Sequence, residues 1–210
     1  MNETREPIRI LAVDDHPILR EGLCSLIGNE ADMSVVAEAS NGLEAIEQYR
    51  IHRPHITLMD LQMPDMSGID AISAIRAGFP AARIIVLTTF AGDVLAQRAL
   101  KAGALAYVLK GLVRKELLDT IRAVHSGLKR IHAEVAAEIA HHAGTPLLTA
   151  REIEVLSLVA TGNSNKRIGV KLAINEETVK GHMKSILAKL GATDRTHAVT
   201  LALRRGVFGP

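Results

Sequence analysis

The 210-residue chain has little aromatic content: three Phe, two Tyr and no Trp, which together make up 2% of the sequence. Hydrophobic residues are nevertheless 48% of the chain, so its core must be built from aliphatic side chains. Cysteine is almost absent too, and the single Cys24 excludes an internal disulfide framework and suits a reducing compartment. The length fits one large domain or two small ones.

Long apolar runs are also missing. No stretch approaches the roughly 18 residues that a membrane span requires. Residues 1–6 contain acidic side chains and no apolar segment, which argues against a signal peptide. We therefore expect a cytoplasmic protein that does not have a membrane as its partner.

The small net charge of +2 conceals an asymmetry along the chain. Residues 1–145 hold 15 Lys and Arg against 18 Asp and Glu, a net charge of −3. Residues 146–210 hold 10 against 5, a net charge of +5. A basic segment that follows a mildly acidic one indicates a polyanion-binding module attached to a second domain.

The first part of the chain alternates between strand and helix patterns. Apolar runs at residues 8–13, 34–39, 56–59, 83–88 and 105–109 predict five strands, and the segments that follow them have helical spacing of apolar residues. This alternation predicts an α/β domain with a five-stranded, doubly wound parallel sheet and right-handed crossovers.

Polar side chains stand where four of these strands end. They are Asp14 and Asp15, Asp60, Thr88 and Lys110. Parallel strands put their carboxyl ends at one edge of the sheet, where ligands bind in open α/β folds. The sequence therefore predicts that these side chains converge on one site.

The rest of the chain has only helical patterns. Residues 127–146 are expected to form a helix-bearing linker, and residues 147–210 a small all-α domain. Thr149 and Glu152 have the spacing of a capping box at a helix start. Ser164 and Asn175 are predicted to cap two further helices.

The helix after Asn175 has one apolar face and one basic face. Val179 and Met183 belong to the apolar face, whereas Lys180, Lys184 and Ser185 are predicted on the other side. Two short helices joined by a tight turn, the second of them basic, are typical of a helix-turn-helix.

These residues carry a family resemblance over nearly the whole chain. Residues 8 to about 126 resemble the flavodoxin-like receiver domain of two-component response regulators, and the match includes Asp14, Asp15, Asp60, Met63, Pro64, Thr88, Tyr107 and Lys110. Residues 147 to about 208 resemble the LuxR/GerE-type helix-turn-helix, and the match includes Leu148 to Glu152, Ser164, Asn165, Lys166, Thr178, Val179, Lys180, His182, Lys189, Leu190 and Gly191. The order of the two domains is similar to that of the NarL/FixJ family.

The resemblance implies a receiver domain over residues 1–126 that is phosphorylated on Asp60 by a sensor histidine kinase. It also implies that Lys110 and Thr88 bind the phosphoryl group and that Tyr107 acts as a switch. A Mg²⁺ cofactor would be held by Asp14, Asp15, Asp60 and the backbone carbonyl of Gln62, with Asp14 acting largely through water.

For the second domain, the resemblance implies double-stranded DNA as partner and a homodimer when the protein is phosphorylated or on DNA. The residues implied in DNA binding are Ser164, Asn165, Lys166, Thr178, Lys180, Gly181, His182 and Lys184. The chain departs from the family pattern at four residues. Gly181 stands where a larger side chain is usual, Arg167 where an acidic residue is more frequent, and Gly169 where Ala is. Gly111 follows Lys110 in place of the Pro that is common in other receivers, although this subfamily often lacks it. The implied protein is a transcription regulator and not an enzyme.

Two other functions are less well supported by the residues. A phosphatase of the aspartyl-nucleophile type would need a second Asp two residues after Asp60, where this chain has Gln62. A ligand-gated quorum-sensing regulator shares the helix-turn-helix, but its first domain binds an apolar molecule, often with an aromatic lining. The scarcity of aromatics and the charged strand ends do not suit that function.

Overall fold

The structure, a computed structural model, describes residues 6–89, 92–111 and 114–208. Its strands are β1 (Ile8–Val13), β2 (Met33–Ala39), β3 (Ile56–Met59), β4 (Ile84–Thr88), β5 (Ala106–Leu109) and β6 (Arg130–Ile131). Its helices are α1 (Pro17–Gly28), α2 (Gly42–His52), α3 (Gly68–Gly78), α4 (Asp93–Ala102), α5 (Arg114–His125), α6 (Ala133–His141), α7 (Ala150–Ala160), α8 (Asn165–Leu172), α9 (Glu176–Leu190) and α10 (Arg195–Arg204).

The chain divides into two compact units, each with its own core. Among the described residues, the first unit comprises residues up to 89 and 96–137, and the second comprises residues 92–95 and 138–208. The domain limits expected from the sequence, at residues 126/127 and 146/147, stay a prediction. Among the described helices, none is both long and apolar enough to cross a bilayer.

The first unit is a parallel sheet in the order β2-β1-β3-β4-β5-β6. The parallel doubly wound fold is therefore confirmed. Strands β3 and β4 are buried along their whole length, as expected for central strands covered by helices on both faces. The core is aliphatic, with Ile10, Leu58 and Ile121 fully buried.

The predicted number of five strands was wrong, because a sixth strand lies within the segment expected to be a linker. β6 has only two residues, both exposed, so it lacks any hydrophobic pattern that could reveal it. It is held by backbone pairing with β5: the Arg130 amide donates to the Leu105 carbonyl at 3.0 Å, and the His132 amide donates to the Tyr107 carbonyl at 3.3 Å.

The second unit packs short helices around a small aliphatic core. Its fully buried side chains include Val155, Leu156, Ile168, Val179 and Ile186. The expected capping box is present at α7, where Thr149 accepts from the Glu152 amide and Glu152 accepts from the Thr149 amide. This unit confirms the predicted all-α domain.

Candidate functional site

Backbone pairing brings the ends of β1 and β3 together. Val13 lies opposite Met59 in the parallel pairing of the two strands. The Asp60 amide donates to the Val13 carbonyl at 3.0 Å, so the ladder continues one residue beyond β3. Asp14 and Asp60 therefore leave neighbouring strands at the same level, with both side chains at the carboxyl edge.

Lys110 approaches these two carboxylates from the end of β5, which is two strands away from β3 in the sheet. Its amide donates to the Thr88 carbonyl at 2.7 Å, which fixes it at the end of β5 beside β4. Its Nζ lies 2.7 Å from Asp14 Oδ2 and 2.8 Å from Asp60 Oδ2. The structure thus brings together three of the strand-end side chains that the sequence singled out.

The pocket is buried, and its ionisation follows from that burial. Asp60 is 3% exposed. Removal from water raises the pKa of Asp60, and the nearby charge of Asp14 adds to the rise, although hydrogen bonding to Lys110 partly offsets it. Burial alone would lower the pKa of Lys110, but its hydrogen bonds to Asp14 and Asp60 outweigh that effect and the pKa is raised. Lys110 therefore remains a cation.

Four side chains that could bind a metal ion lie close together in the pocket. Asp14, Asp15, His16 and Asp60 each offer one ligand atom, and these four atoms lie within 4.8 Å of one another. The Gln62 amide lies 3.5 Å from Asp60 Oδ1, in the loop that leads away from β3. A set of carboxylates suits a hard divalent cation. His16 was not among the predicted site residues, because it follows the strand end and opens α1.

Thr88 and Tyr107 occupy neighbouring strands behind the pocket. Thr88 is the last residue of β4 and is 1% exposed, and Tyr107 is fully buried in β5. Burial raises the pKa of Tyr107, and the negative charge of Asp60 contributes to the rise. Tyr107 is therefore a neutral phenol inside the fold.

A close turn joins α8 to α9 in the second unit. Ser164 caps α8 by accepting from the Arg167 amide, and Asn175 caps α9 by accepting from the Thr178 amide. Gly169 lies against the turn: a Cβ there would be 2.7 Å from the Ile174 carbonyl oxygen. The departure from Ala at this position therefore has a steric reason, because the backbone of the turn occupies the space.

The residues implied in DNA binding lie on the accessible side of α8 and α9. Six are exposed and two, Asn165 and His182, are half-buried; the exposed six are Ser164, Lys166, Thr178, Lys180, Gly181 and Lys184. Lys180 is not a free cation, since its Nζ lies 2.7 Å from Glu177 Oε1. The basic face of α9 therefore also contains the carboxylate of Glu177, next to Lys180.

Ser185 was predicted on the same exposed side, and this prediction was wrong. Its hydroxyl donates to Glu152 Oε1 at 2.6 Å, and Lys189 Nζ donates to Glu152 Oε2 at 2.7 Å. Burial alone would raise the pKa of Glu152, but these hydrogen bonds and those at Thr149 lower it to about 2. Glu152 thus joins the start of α7 to one side of α9.

Glu152→Gln is expected to destabilise the second unit at neutral pH. The pKa of Glu152 is about 2 in the folded chain, compared with about 4.3 for an unperturbed Glu. The ionised carboxylate therefore stabilises the fold fully at pH values above its pKa in the unfolded chain. This stabilisation is lost as the pH falls toward its folded pKa of about 2. We expect a loss of roughly 2 kcal/mol at pH 7 that shrinks below about pH 4.

Amide hydrogen exchange in α7 and α9 measures this difference at each pH. Glu154→Gln is the matched control, because Glu154 lies on the same helix but forms a surface pair with Arg151 and should change stability by less than about 0.5 kcal/mol. Equal losses in the two variants, or a loss for Glu152→Gln that persists near pH 2, would contradict the assignment.

A pair of buried carboxylates bridged by Lys110 thus lies at the edge of a parallel sheet, in a chain that also carries a helix-turn-helix. Residues 10–122 match the family described as response regulator receiver domain. Residues 146–202 match the family described as bacterial regulatory proteins, luxR family. The chain belongs to the transcriptional response regulators that combine these two domains, and it is a DNA-binding regulator rather than an enzyme.

Named relatives match this chain over nearly their full length. Transcriptional regulatory protein LiaR of Bacillus subtilis (strain 168) is 39% identical over 205 residues, which cover 94% of this chain and 97% of LiaR. Response regulator protein VraR of Staphylococcus aureus is 36% identical over 206 residues, which cover 96% of this chain and 99% of VraR.

Solved structures agree with the fold. The response regulator ChrA of a heme-sensing two-component system is 34% identical with a TM-score of 0.59, and the match covers 97% of this chain and 100% of ChrA. The RcsB response regulator in a DNA complex is 26% identical with a TM-score of 0.70, and the match covers 95% of this chain and 99% of that chain.

Proposed function

We propose that Asp60 accepts a phosphoryl group from a sensor histidine kinase in the cytoplasm and that this modification controls DNA binding by the second domain. The observation that carries the proposal is the position of Asp60, buried at the central strand end with Lys110 Nζ 2.8 Å from its Oδ2. Intact mass measured after incubation with a small phosphodonor tests whether the chain accepts one phosphoryl group.

The transfer needs a nucleophile and neutralisation of charge. A carboxylate oxygen of Asp60 forms the new bond to phosphorus, while the bond from phosphorus to the donor's leaving group breaks and its electron pair departs with that group. Lys110 then pairs with a phosphoryl oxygen as a point charge. Thr88, next to it on β4, donates its hydroxyl to another phosphoryl oxygen.

The same pocket fits Mg²⁺. Asp15, Asp60 and the carbonyl of Gln62 would hold the ion, and Asp14 would act through water, consistent with the few direct carboxylate ligands that Mg²⁺ takes. When bound, the ion supplies positive charge that offsets the phosphoryl oxygens. The support for the carboxylate ligands is that one atom each from Asp14, Asp15, His16 and Asp60 lies within 4.8 Å of the others.

Thr88 and Tyr107 could transmit the effect of phosphorylation from the pocket to the surface of the domain. They lie on paired strands, with Thr88 opposite Leu109 and Val86 opposite Tyr107. A hydrogen bond from Thr88 to the phosphoryl group would draw the end of β4 inward, and Tyr107 would adjust its position beside it. We propose that this two-state rearrangement alters the α4–β5 surface of the receiver domain.

The receiver domain is proposed to extend over residues 1–126, the linker over 127–146 and the DNA-binding domain over 147–210. In the last of these, α9 is proposed to enter the major groove, with its accessible face toward the bases and the phosphates. Gly181 can add no apolar contact to a thymine methyl. Contacts to the DNA backbone are therefore expected to dominate, and sequence discrimination to be modest.

Lys180→Ala and Lys184→Ala are each expected to weaken DNA binding. Loss of a lysine that contacts a phosphate lowers the salt slope by about one unit on any sequence, whereas loss of one that reads a base relaxes the preference at one position. Glu177→Gln is the matched charge variant: it removes a negative charge 2.7 Å from Lys180 and should strengthen binding. Fluorescence anisotropy over a salt series measures all three, and parent-like binding by both lysine variants would show that α9 is not the reading helix.

Phosphorylation is expected to pair two chains. A single small helix-turn-helix gains affinity when two copies occupy half-sites about 10 bp apart. Light scattering of the free and phosphorylated protein, with and without DNA, measures the oligomeric state. A monomer on DNA under every condition would refute this prediction.

A further inference from the structure

His16 places an imidazole nitrogen among the carboxylates of the acidic pocket. Its Nδ1 lies 2.8 Å from Asp15 Oδ1 and 3.4 Å from Asp14 Oδ1. The His16 amide also donates to Asp14 Oδ1 at 2.9 Å, and the chain enters α1 at Pro17. The backbone of His16 is therefore fixed beside the pocket, while its side chain, 65% exposed, is able to turn.

These separations are those of neighbouring ligands around one metal ion. Two donor atoms at right angles, each about 2.1 Å from a cation, are about 3 Å apart. The distances of 2.8 and 3.4 Å from His16 Nδ1 to the two carboxylates fall on either side of that value. No large movement of the ring is needed to bring the nitrogen to a shared ion.

The hydrogen bonding of Asp15 also favours a metal ion shared with His16. Its Oδ1 is buried and, within the described part of the chain, makes no hydrogen bond. The neighbouring His16 Nδ1 lies 2.8 Å away. A buried carboxylate oxygen without a donor is costly, and a cation between the oxygen and the nitrogen would remove that cost.

We propose that His16 is an additional metal ligand, and that it shifts the preference of the pocket from Mg²⁺ toward late first-row dications such as Co²⁺, Ni²⁺ and Zn²⁺. Mg²⁺ binds oxygen donors, whereas imidazole suits the later transition metals, which also bind mixed nitrogen and oxygen sites more tightly. This inference rests on the proposed function, because it uses the same carboxylates.

The competing account is a metal-free ion pair in which a protonated His16 only neutralises Asp14 and Asp15. The two accounts differ in what happens when His16 is replaced. An ion pair predicts that a smaller side chain leaves metal selectivity unchanged. Direct ligation predicts that the loss falls on nitrogen-preferring ions alone.

Calorimetric titration of the full chain with Ni²⁺ and with Mg²⁺ separates these accounts. For His16→Ala we expect roughly tenfold or greater weakening of Ni²⁺ binding, with Mg²⁺ binding changed less than about twofold. His132→Ala is the matched control, since His132 also lies 3.3 Å from a carboxylate oxygen, that of Glu116, but outside the pocket. Its Ni²⁺ affinity should equal that of the parent.

A second readout identifies the ligand atom. The chain has nine histidines, so pulsed EPR of a stoichiometric Cu²⁺ complex should show coupling to an imidazole nitrogen that His16→Ala removes and His132→Ala retains. Circular dichroism confirms that the variants are folded, as expected for an exposed side chain.

The outcomes distinguish this inference from the proposed function. Unchanged Ni²⁺ affinity and unchanged nitrogen coupling in His16→Ala, with binding still lost in Asp15→Asn, would overturn the role of His16 and leave the carboxylate site standing. Binding of both metals that survives Asp15→Asn and Asp60→Asn would overturn the metal site itself. Selective loss of Ni²⁺ in His16→Ala supports the proposal.

Discussion

Asp60→Asn is expected to abolish phosphoryl uptake from acetyl phosphate in the presence of Mg²⁺. The parent should gain the mass of one phosphoryl group per chain, because Asp60 is buried at the end of the central strand β3 with Lys110 Nζ 2.8 Å from its Oδ2. An amide is a poor nucleophile and cannot form the acyl phosphate. The expected effect is complete loss within the detection limit of intact mass spectrometry.

Asp60→Asn should lose phosphoryl uptake because the nucleophile is missing and not because the domain unfolds. Burial raises the pKa of Asp60, so its ionised form opposes folding at neutral pH and its removal should not unfold the domain. Asp65→Asn is the matched control: Asp65 is exposed in the loop after β3 and has a φ of 64°, which Asn tolerates. A mass gain that survives Asp60→Asn, with parent-like stoichiometry, would contradict the assignment.

Gly68→Ala is expected to have the largest effect on stability of any single methyl addition in the receiver domain. A Cβ at Gly68 would lie 1.9 Å from the Asp60 carbonyl oxygen and 2.8 Å from the Leu61 Cα. Both obstacles are backbone atoms, and the Gly68 amide already donates to the Leu61 carbonyl at 3.0 Å. Relief requires a shift of the loop that carries Asp60, at a cost of roughly 3 kcal/mol or more.

The other end of the same helix supplies the control. Gly78 closes α3, and a Cβ there would meet no atom within 4 Å. Gly78→Ala should therefore be neutral or should stabilise the domain by up to about 1 kcal/mol. Amide exchange in β1 and β3 measures the stability of this unit in both variants. Equal amide protection in Gly68→Ala and the parent would contradict this prediction, because it would mean that the loop shifts without a loss of stability.

Much of this architecture could be predicted because it depends on local sequence patterns. Strand ends in a parallel sheet share one edge, so Asp14, Asp60 and Lys110 could be placed together from the alternation of strands and helices alone. The caps at Thr149, Ser164 and Asn175 were equally accessible, since each depends on residues three positions apart.

Other features depend on contacts that a sequence pattern does not contain. β6 is a two-residue strand held by backbone hydrogen bonds, whose donors and acceptors are the same for nearly every residue type. Ser185 lies on the side of α9 that faces α7, where its hydroxyl donates to Glu152. His16 lies beside the acidic pocket because it stands between Asp15 and the start of α1 at Pro17, a matter of turn geometry rather than of periodicity.

DNA footprinting with and without a phosphodonor and Mg²⁺ tests the central claim most directly, when the parent and Asp60→Asn are compared on the same promoter fragment. Control of DNA binding by phosphorylation of Asp60 predicts that the phosphodonor extends or strengthens the footprint of the parent and leaves that of Asp60→Asn unchanged. Identical footprints for the parent in both conditions, or an equal response in Asp60→Asn, would contradict it.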